Sequence, residues 1–172
     1  MDKIISINQG CAVKGRYIFE NLRLIEDLIN RDENSTRDEI YNGGMLKILD
    51  LEKAFDRVEH TYLCKILDKI HLGDEITKWI KILFHNIYTT IQTPYGNTKN
   101  ITVSRSVRQG CPMSMILFVF SAEPLIRMIN ADNEIQGIRL DQSSYIKICV
   151  YADDTTLFLH DRADEQQDTT YI

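Results

Sequence analysis

Two short runs near the end of the chain, YIKICVY at 145–151 and TTLFL at 155–159, are rich in β-branched and aromatic residues and are joined only by Ala152-Asp153-Asp154. Runs of this kind on either side of a tight connection read as a β-hairpin. The connection is acidic, so a pair of carboxylates is expected at the hairpin tip.

A third acidic residue stands in a matching place. MLKILD at 45–50 is a short apolar run ending in Asp50, the pattern of a buried strand whose last residue projects from a sheet end. One sheet containing both features would bring Asp50, Asp153 and Asp154 to a common edge.

The rest of the chain supplies covering elements. Residues 17–31 place Ile18, Leu22, Ile25 and Ile29 at helical spacing, the stripe of a helix packed on a core. Residues 32–44 read as a polar loop closed by two glycines. Helices are expected from Glu59 to Ile70 and from Asp74 to Tyr88, the second with Ile76, Ile80, Leu83 and Ile87 as its apolar face. Residues 89–104 carry β-branched residues around a Pro-Tyr-Gly-Asn turn and read as a hairpin; after VRQGCP, residues 113–130 form a largely apolar, buried helix. The tail from Asp161 is polar. This order of strand, helix, helix, hairpin, helix, hairpin predicts an α+β fold with a small antiparallel sheet backed by helices.

At 172 residues and 44% hydrophobic content, the composition is that of one globular domain with a real core, and no internal boundary is visible. No uninterrupted apolar stretch approaches the roughly 18 residues of a membrane span, and MDKIISINQG lacks the features of a signal peptide. No membrane association is expected. Cys11, Cys64, Cys111 and Cys149 stand far apart without ligand spacing, so neither a zinc site nor a disulfide framework is indicated, and free thiols fit an intracellular location, nucleus or cytoplasm. The net charge of −5 argues against binding nucleic acid through charge alone.

Carboxylates held close together repel unless a cation neutralises them, and hard divalent ions with a preference for oxygen do so. Two such ions suit an in-line phosphoryl transfer, which makes nucleotidyl transfer the implied chemistry. Asp-Asp in a turn is by itself ordinary turn chemistry. The reading gains weight from Arg108-Gln109-Gly110, placed where a hairpin hands over to a buried helix: Gly110 permits close approach, and Gln109 offers a donor and an acceptor. Read structurally, the same loop is a helix entry with Ser114 as its cap.

Together, LDLEKAFDRVEH, SVRQGCPMSMILF followed by EPL, and VYADDTTLF resemble motifs A, B and C of the reverse transcriptase palm, in order. The upstream NQGCAVKGRYIFENLRLIEDLI resembles the fingers segment of non-long-terminal-repeat (long-interspersed-element) retrotransposons and group II intron maturases. The resemblance implies a single partial reverse transcriptase domain: a fingers-like segment over about 1–44, palm over about 45–160, and a polar tail at 161–172. It implies Asp50 and Asp153 as principal metal ligands, Asp154 beside them, and the Leu51 backbone carbonyl on the same two Mg2+ ions, with Mn2+ as a substitute. Phe55 falls at the steric-gate position, although a core aromatic is the alternative. Gln109 and Gly110 fall at nucleotide-contacting positions. Lys14, Arg16 and Arg108 resemble basic residues that touch template or phosphate, with a solvated basic turn as the alternative for Lys14 and Arg16. The implied partners are an RNA template, a DNA primer and deoxynucleoside triphosphates.

The chain departs from the family pattern in having Met115 after the motif B serine, Val119 after Leu-Phe, and Ser106 at a frequent glycine. Basic fingers residues, a proton-donating lysine, a primer grip and a thumb are not recognisable, so an incomplete enzyme is expected. Two alternatives stand beside RNA-directed DNA synthesis: a non-catalytic remnant that keeps the fold and binds nucleic acid or protein, and a nucleotide cyclase with a related sheet.

Overall fold

The computed structural model describes residues 4–34, 44–108, 110–141 and 144–160, with the backbone alone at 31–34. In chain order the elements are α1 (Ile18–Asn34), β1 (Met45–Leu49), α2 (Ala54–Arg57), α3 (His60–Ile70), α4 (Asp74–Leu83), β2 (Tyr88–Thr89), β3 (Gln92–Thr93), β4 (Gly96–Asn97), β5 (Ile101–Thr102), α5 (Ser114–Ala131), β6 (Ile138–Arg139), β7 (Tyr145–Ile146), β8 (Ile148–Tyr151) and β9 (Asp154–Leu159). The architecture is α+β with small antiparallel sheets, as the element order predicts. The chain forms two compact units, residues 1–52 with 122–172, and residues 53–121.

The first unit is built on a three-stranded antiparallel sheet in the order β1-β9-β8. Successive side chains of a strand point to opposite faces, so each face has its own core. On one face Ile148, Val150, Leu157 and Leu159 pack with Ile126, Ile129 and Ile135, and Met45, Leu49 and Leu125 close the edge. On the other, Cys149 and Phe158 pack with Leu28, Ile138 and Ile146, joined by Leu24, Ile25 and Leu46. β9 is central and buried on both faces, which explains its nearly continuous apolar sequence.

Three expectations change here. α1 forms, but its packed face is Leu24, Ile25 and Leu28, whereas Ile18, Leu22 and Ile29 are exposed. Both stripes have helical spacing, and only the neighbouring sheet selects between them. β1 is an edge strand, not a buried one, with Ile48 75% exposed. The run 145–151 is broken at Lys147: β7 pairs with β6, while β8 pairs with β9. Lys147 there donates its ammonium to the carbonyls of Asn130 and Asp132, where the helix dipole at the end of α5 favours a cation.

In the second unit, Leu63, Leu67, Val107, Leu117 and Val119 are fully buried. α4 stops at Leu83 and not at Tyr88. The Phe84 N–H bonds back to the Ile80 and Lys81 carbonyls, and Asn86 takes a left-handed φ of 50°, turning the chain into β2. Of the expected α4 stripe, Ile80 is buried and Ile76 and Leu83 are exposed. The hairpin at 89–104 forms in two steps, β2 with β5 and β3 with β4, around Pro94-Tyr95.

α5 is long and apolar enough to cross a membrane by length and composition, but half of it is buried inside the protein. Its Ile126 and Ile129 pack on the sheet, and its charged residues Glu123 and Arg127 pair at 2.6 Å, as suits a core helix.

Candidate active site

The sheet register decides where the carboxylates stand. Leu49 pairs with Thr155 at the end of the ladder, so Asp50, the next residue after β1, lies at the same sheet end as Asp154, the first residue of β9. Alternation places Asp50 and Asp154 on the face that holds Leu46 and Phe158 further along the same strands. Both aspartates are exposed.

Asp153 occupies the hairpin turn. Tyr151 pairs with Asp154, leaving a two-residue connection, Ala152-Asp153, tighter than the three-residue tip expected from the sequence. Ala152 has a φ of 58°, a left-handed conformation that a side chain disfavours by about 1–2 kcal/mol. Asp153 is half-buried, and its charge reaches the buried Cys11: burial raises that thiol's pKa most, the Ala12 N–H lowers it, and the Asp153 carboxylate raises it again.

The three aspartates thus share one end of one sheet. Among the described residues, no three His, Cys, Asp or Glu side chains converge closely enough to hold a metal ion unaided. Magnesium is commonly held by one or two carboxylates, with water and substrate phosphates completing its shell. One or two of these carboxylates could serve such an ion, and among the described residues there is no closed protein cage for one. Leu51, half-buried, follows Asp50.

The turn is held from an unexpected direction. Residues 8–10 run beside β8, with the Val150 N–H donating to the Asn8 carbonyl and the Gly10 N–H to the Val150 carbonyl, each at 2.8 Å. Gln9, fully buried at 0% exposure, receives the N–H groups of Ala152 and Cys11 on its Oε1 at 3.0 and 2.9 Å and aims its Nε2 at the Ala152 carbonyl at 3.4 Å. Arg16 donates its guanidinium to the carbonyls of Ile5, Ser6 and Gln9 and braces this segment. Lys14 is exposed. Gln9 lies inside the NQGCAVKGRY segment that resembles the fingers of the family, but no spacing points to this role; the pairing is visible only in three dimensions.

The other candidate residues belong to the second unit. The Phe55 ring stacks on Phe118 with centroids 4.3 Å apart, the contact of a packed aromatic. Gly110 has a φ of 82°, and a Cβ added there would meet nothing within 4 Å, so the glycine serves backbone conformation beside open space. The Arg108 carbonyl accepts from the Ser114 hydroxyl at the start of α5, closing the loop. Arg108 itself is exposed, and Gln109 lies outside the described residues.

The approach to this loop explains one departure from the family pattern. Ser106 has a φ of 86°, a region that favours glycine. Its backbone is fixed there by its N–H on the Val58 carbonyl at 2.9 Å and by His60 Nε2 on its own carbonyl at 2.9 Å. Ser106→Gly is expected to be more stable than Ser106→Ala by about 1 kcal/mol, since both lack the hydroxyl and only alanine keeps the strain. Urea denaturation of the two variants measures the difference; equal midpoints would refute the strain.

The model of the reverse transcriptase (RNA-dependent DNA polymerase) family matches residues 13–171. A 149 kDa protein of transposon TX1 from Xenopus laevis is 30% identical over 94% of this chain, and the Pol polyprotein of the type-1 retrotransposable element R2 from Nasonia vitripennis is 27% identical over 92%. The chain spans 12% and 15% of the lengths of those relatives. In fold it is similar to telomerases from Candida albicans (TM-score 0.60, 14% identity, 90% of this chain and 27% of that one) and Candida tropicalis (0.61, 11%, 95% and 32%). A family match over nearly the whole chain, on a sheet that gathers the motif A and motif C aspartates, means that the chain belongs to the reverse transcriptase family, as a domain related to those of the non-long-terminal-repeat retrotransposons R2 and TX1.

Proposed function

We propose that this chain is the RNA-directed DNA polymerase core of a retrotransposon, a partial domain that uses Asp50, Asp153 and Asp154 for nucleotidyl transfer. The observation that supports the reading is the β1–β9 ladder, whose last pair, Leu49 with Thr155, leaves Asp50 and Asp154 at one sheet end beside a turn containing Asp153.

In the proposed reaction the 3′-hydroxyl of a DNA primer on an RNA template attacks the α-phosphorus of a deoxynucleoside triphosphate, and pyrophosphate leaves. The three aspartates and the Leu51 carbonyl would hold two divalent ions, Mg2+ or Mn2+, which when bound lower the pKa of the hydroxyl and neutralise charge on the transferring phosphate. The rigid sheet end contributes positioning, because β9 is buried on both faces and the hairpin tip is tied to residues 8–10. Phe55 is proposed to disfavour ribonucleotides, Gln109 and Gly110 to contact nucleotide and template, and Lys14 and Arg108 to meet phosphate.

Primer extension with Mg2+ on an RNA template tests this: the chain is expected to add deoxynucleotides, and no incorporation by the unmutated chain would sink the catalytic reading. The second reading, a non-catalytic remnant that binds nucleic acid or protein, is favoured by the absence of a preformed carboxylate cluster among the described residues. It predicts no incorporation and a silent Asp153→Asn.

A further inference from the structure

We propose that Gln9 is a positioning residue that sets the direction of the Asp153 carboxylate by clamping the main chain of the Ala152-Asp153 turn. The inference rests on the reading of Asp50, Asp153 and Asp154 as the metal-binding edge.

A left-handed alanine in a two-residue hairpin is strained, and such a conformation persists only where its surroundings enforce it. The hairpin tip has few main-chain bonds of its own: beyond the Tyr151–Asp154 pair, the Ala152 amide would have no strand partner. Gln9 supplies one. Its amide presents an acceptor to the Ala152 N–H and a donor to the Ala152 carbonyl, as a neighbouring strand would. The same Oε1 takes the Cys11 N–H, so the turn and the segment beneath it share one acceptor.

The clamp is itself anchored. Arg16 holds the carbonyls of Ile5, Ser6 and Gln9, and Asn8 Nδ2 donates to the Ile148 carbonyl at 2.7 Å. A Cβ on Gly10 would lie 3.2 Å from the Tyr151 ring, so the segment sits tightly against β8. The amide is also neutral. A cationic clamp in this buried place would pair with Asp153, whereas glutamine fixes the turn and leaves the carboxylate free for an ion.

The test uses the whole chain, isotopically labelled, with amide hydrogen exchange in the absence of metal and Mn2+-induced line broadening as readouts. In Gln9→Asn, whose shorter side chain keeps the chemistry but not the reach, the Ala152 amide is expected to exchange at least about tenfold faster, while core amides such as Leu157 keep their rates. The Mn2+ concentration that half-broadens the Asp153 amide is expected to rise about tenfold. Gln9→Glu, which retains Oε1, is expected to restore Ala152 protection and a midpoint no weaker than that of the unmutated chain.

Unchanged Ala152 exchange in Gln9→Asn overturns the inference. So does faster exchange with an unmoved Mn2+ midpoint, because Gln9 would then hold the turn without aiming the carboxylate. Should core amides also accelerate, Gln9→Glu decides: failure to restore the midpoint with a protected core overturns the inference. Absence of broadening at all three aspartates in the unmutated chain is a different result, since it removes the metal-binding reading itself.

Discussion

Asp153→Asn is expected to lower deoxynucleotide incorporation by about a thousandfold without lowering the melting temperature. A metal-neutralised phosphoryl transfer owes several kcal/mol of its barrier reduction to the ions, and about 4 kcal/mol corresponds to a factor of about a thousand. Asparagine keeps the size of the side chain but loses the charge that draws and orients the ion. The half-buried position of Asp153, in a turn shared with strained Ala152 and close to the exposed Asp50 and Asp154, makes the separation of activity from stability informative. Removing one of several neighbouring negative charges relieves repulsion in the metal-free protein, so stability should hold or rise slightly. Primer extension under single-turnover conditions, paired with thermal melting, reads both quantities. An incorporation rate within tenfold of the unmutated chain would remove Asp153 from the chemistry; a large fall in melting temperature would make its role structural.

Gly137→Ala is expected to destabilise the fold by about 3 kcal/mol, which for a chain of this size lowers the melting temperature by about 10 °C. Gly137 sits immediately before β6 with a φ of 72°, and a Cβ there would lie 2.3 Å from the Ile146 carbonyl oxygen and 2.9 Å from its carbon. Both are backbone atoms in a paired strand, so neither can swing aside. Left-handed strain accounts for about 1–2 kcal/mol, and forced displacement of packed backbone for about 1–3 kcal/mol. The displaced β6–β7 pair carries Ile138 and Ile146, two members of the core under Phe158 and α1, so the damage spreads into packing. Chemical denaturation measures it, and a loss under 1 kcal/mol would show that the hairpin moves freely on the sheet.

The two substitutions mark different layers of legibility. The acidic tip could be read from the chain because a hairpin is local: two β-rich runs and three intervening residues define it almost alone. Asp50 at a strand end is legible for the same reason, and its nearness to Asp154 follows once β1 pairs with β9. Gly137 offered no such signal, because its constraint comes from the backbone of Ile146 across a pairing that no periodicity announces. Ser106 lies between these cases: its departure from a frequent glycine was visible, while the left-handed φ that makes the departure matter was not.

Residue order alone determined the α+β class, the main helices, the apolar strands of the central hairpin and the motifs that carry the family resemblance. Those properties depend on neighbours a few residues apart. Tertiary structure decided which face of α1 is buried, that β1 lies at an edge, that Arg16 braces main-chain carbonyls, and that Gln9 meets Ala152 across 143 positions. A buried amide bonded to distant backbone has no helical or strand spacing, and two equally spaced apolar stripes differ only in what packs on them.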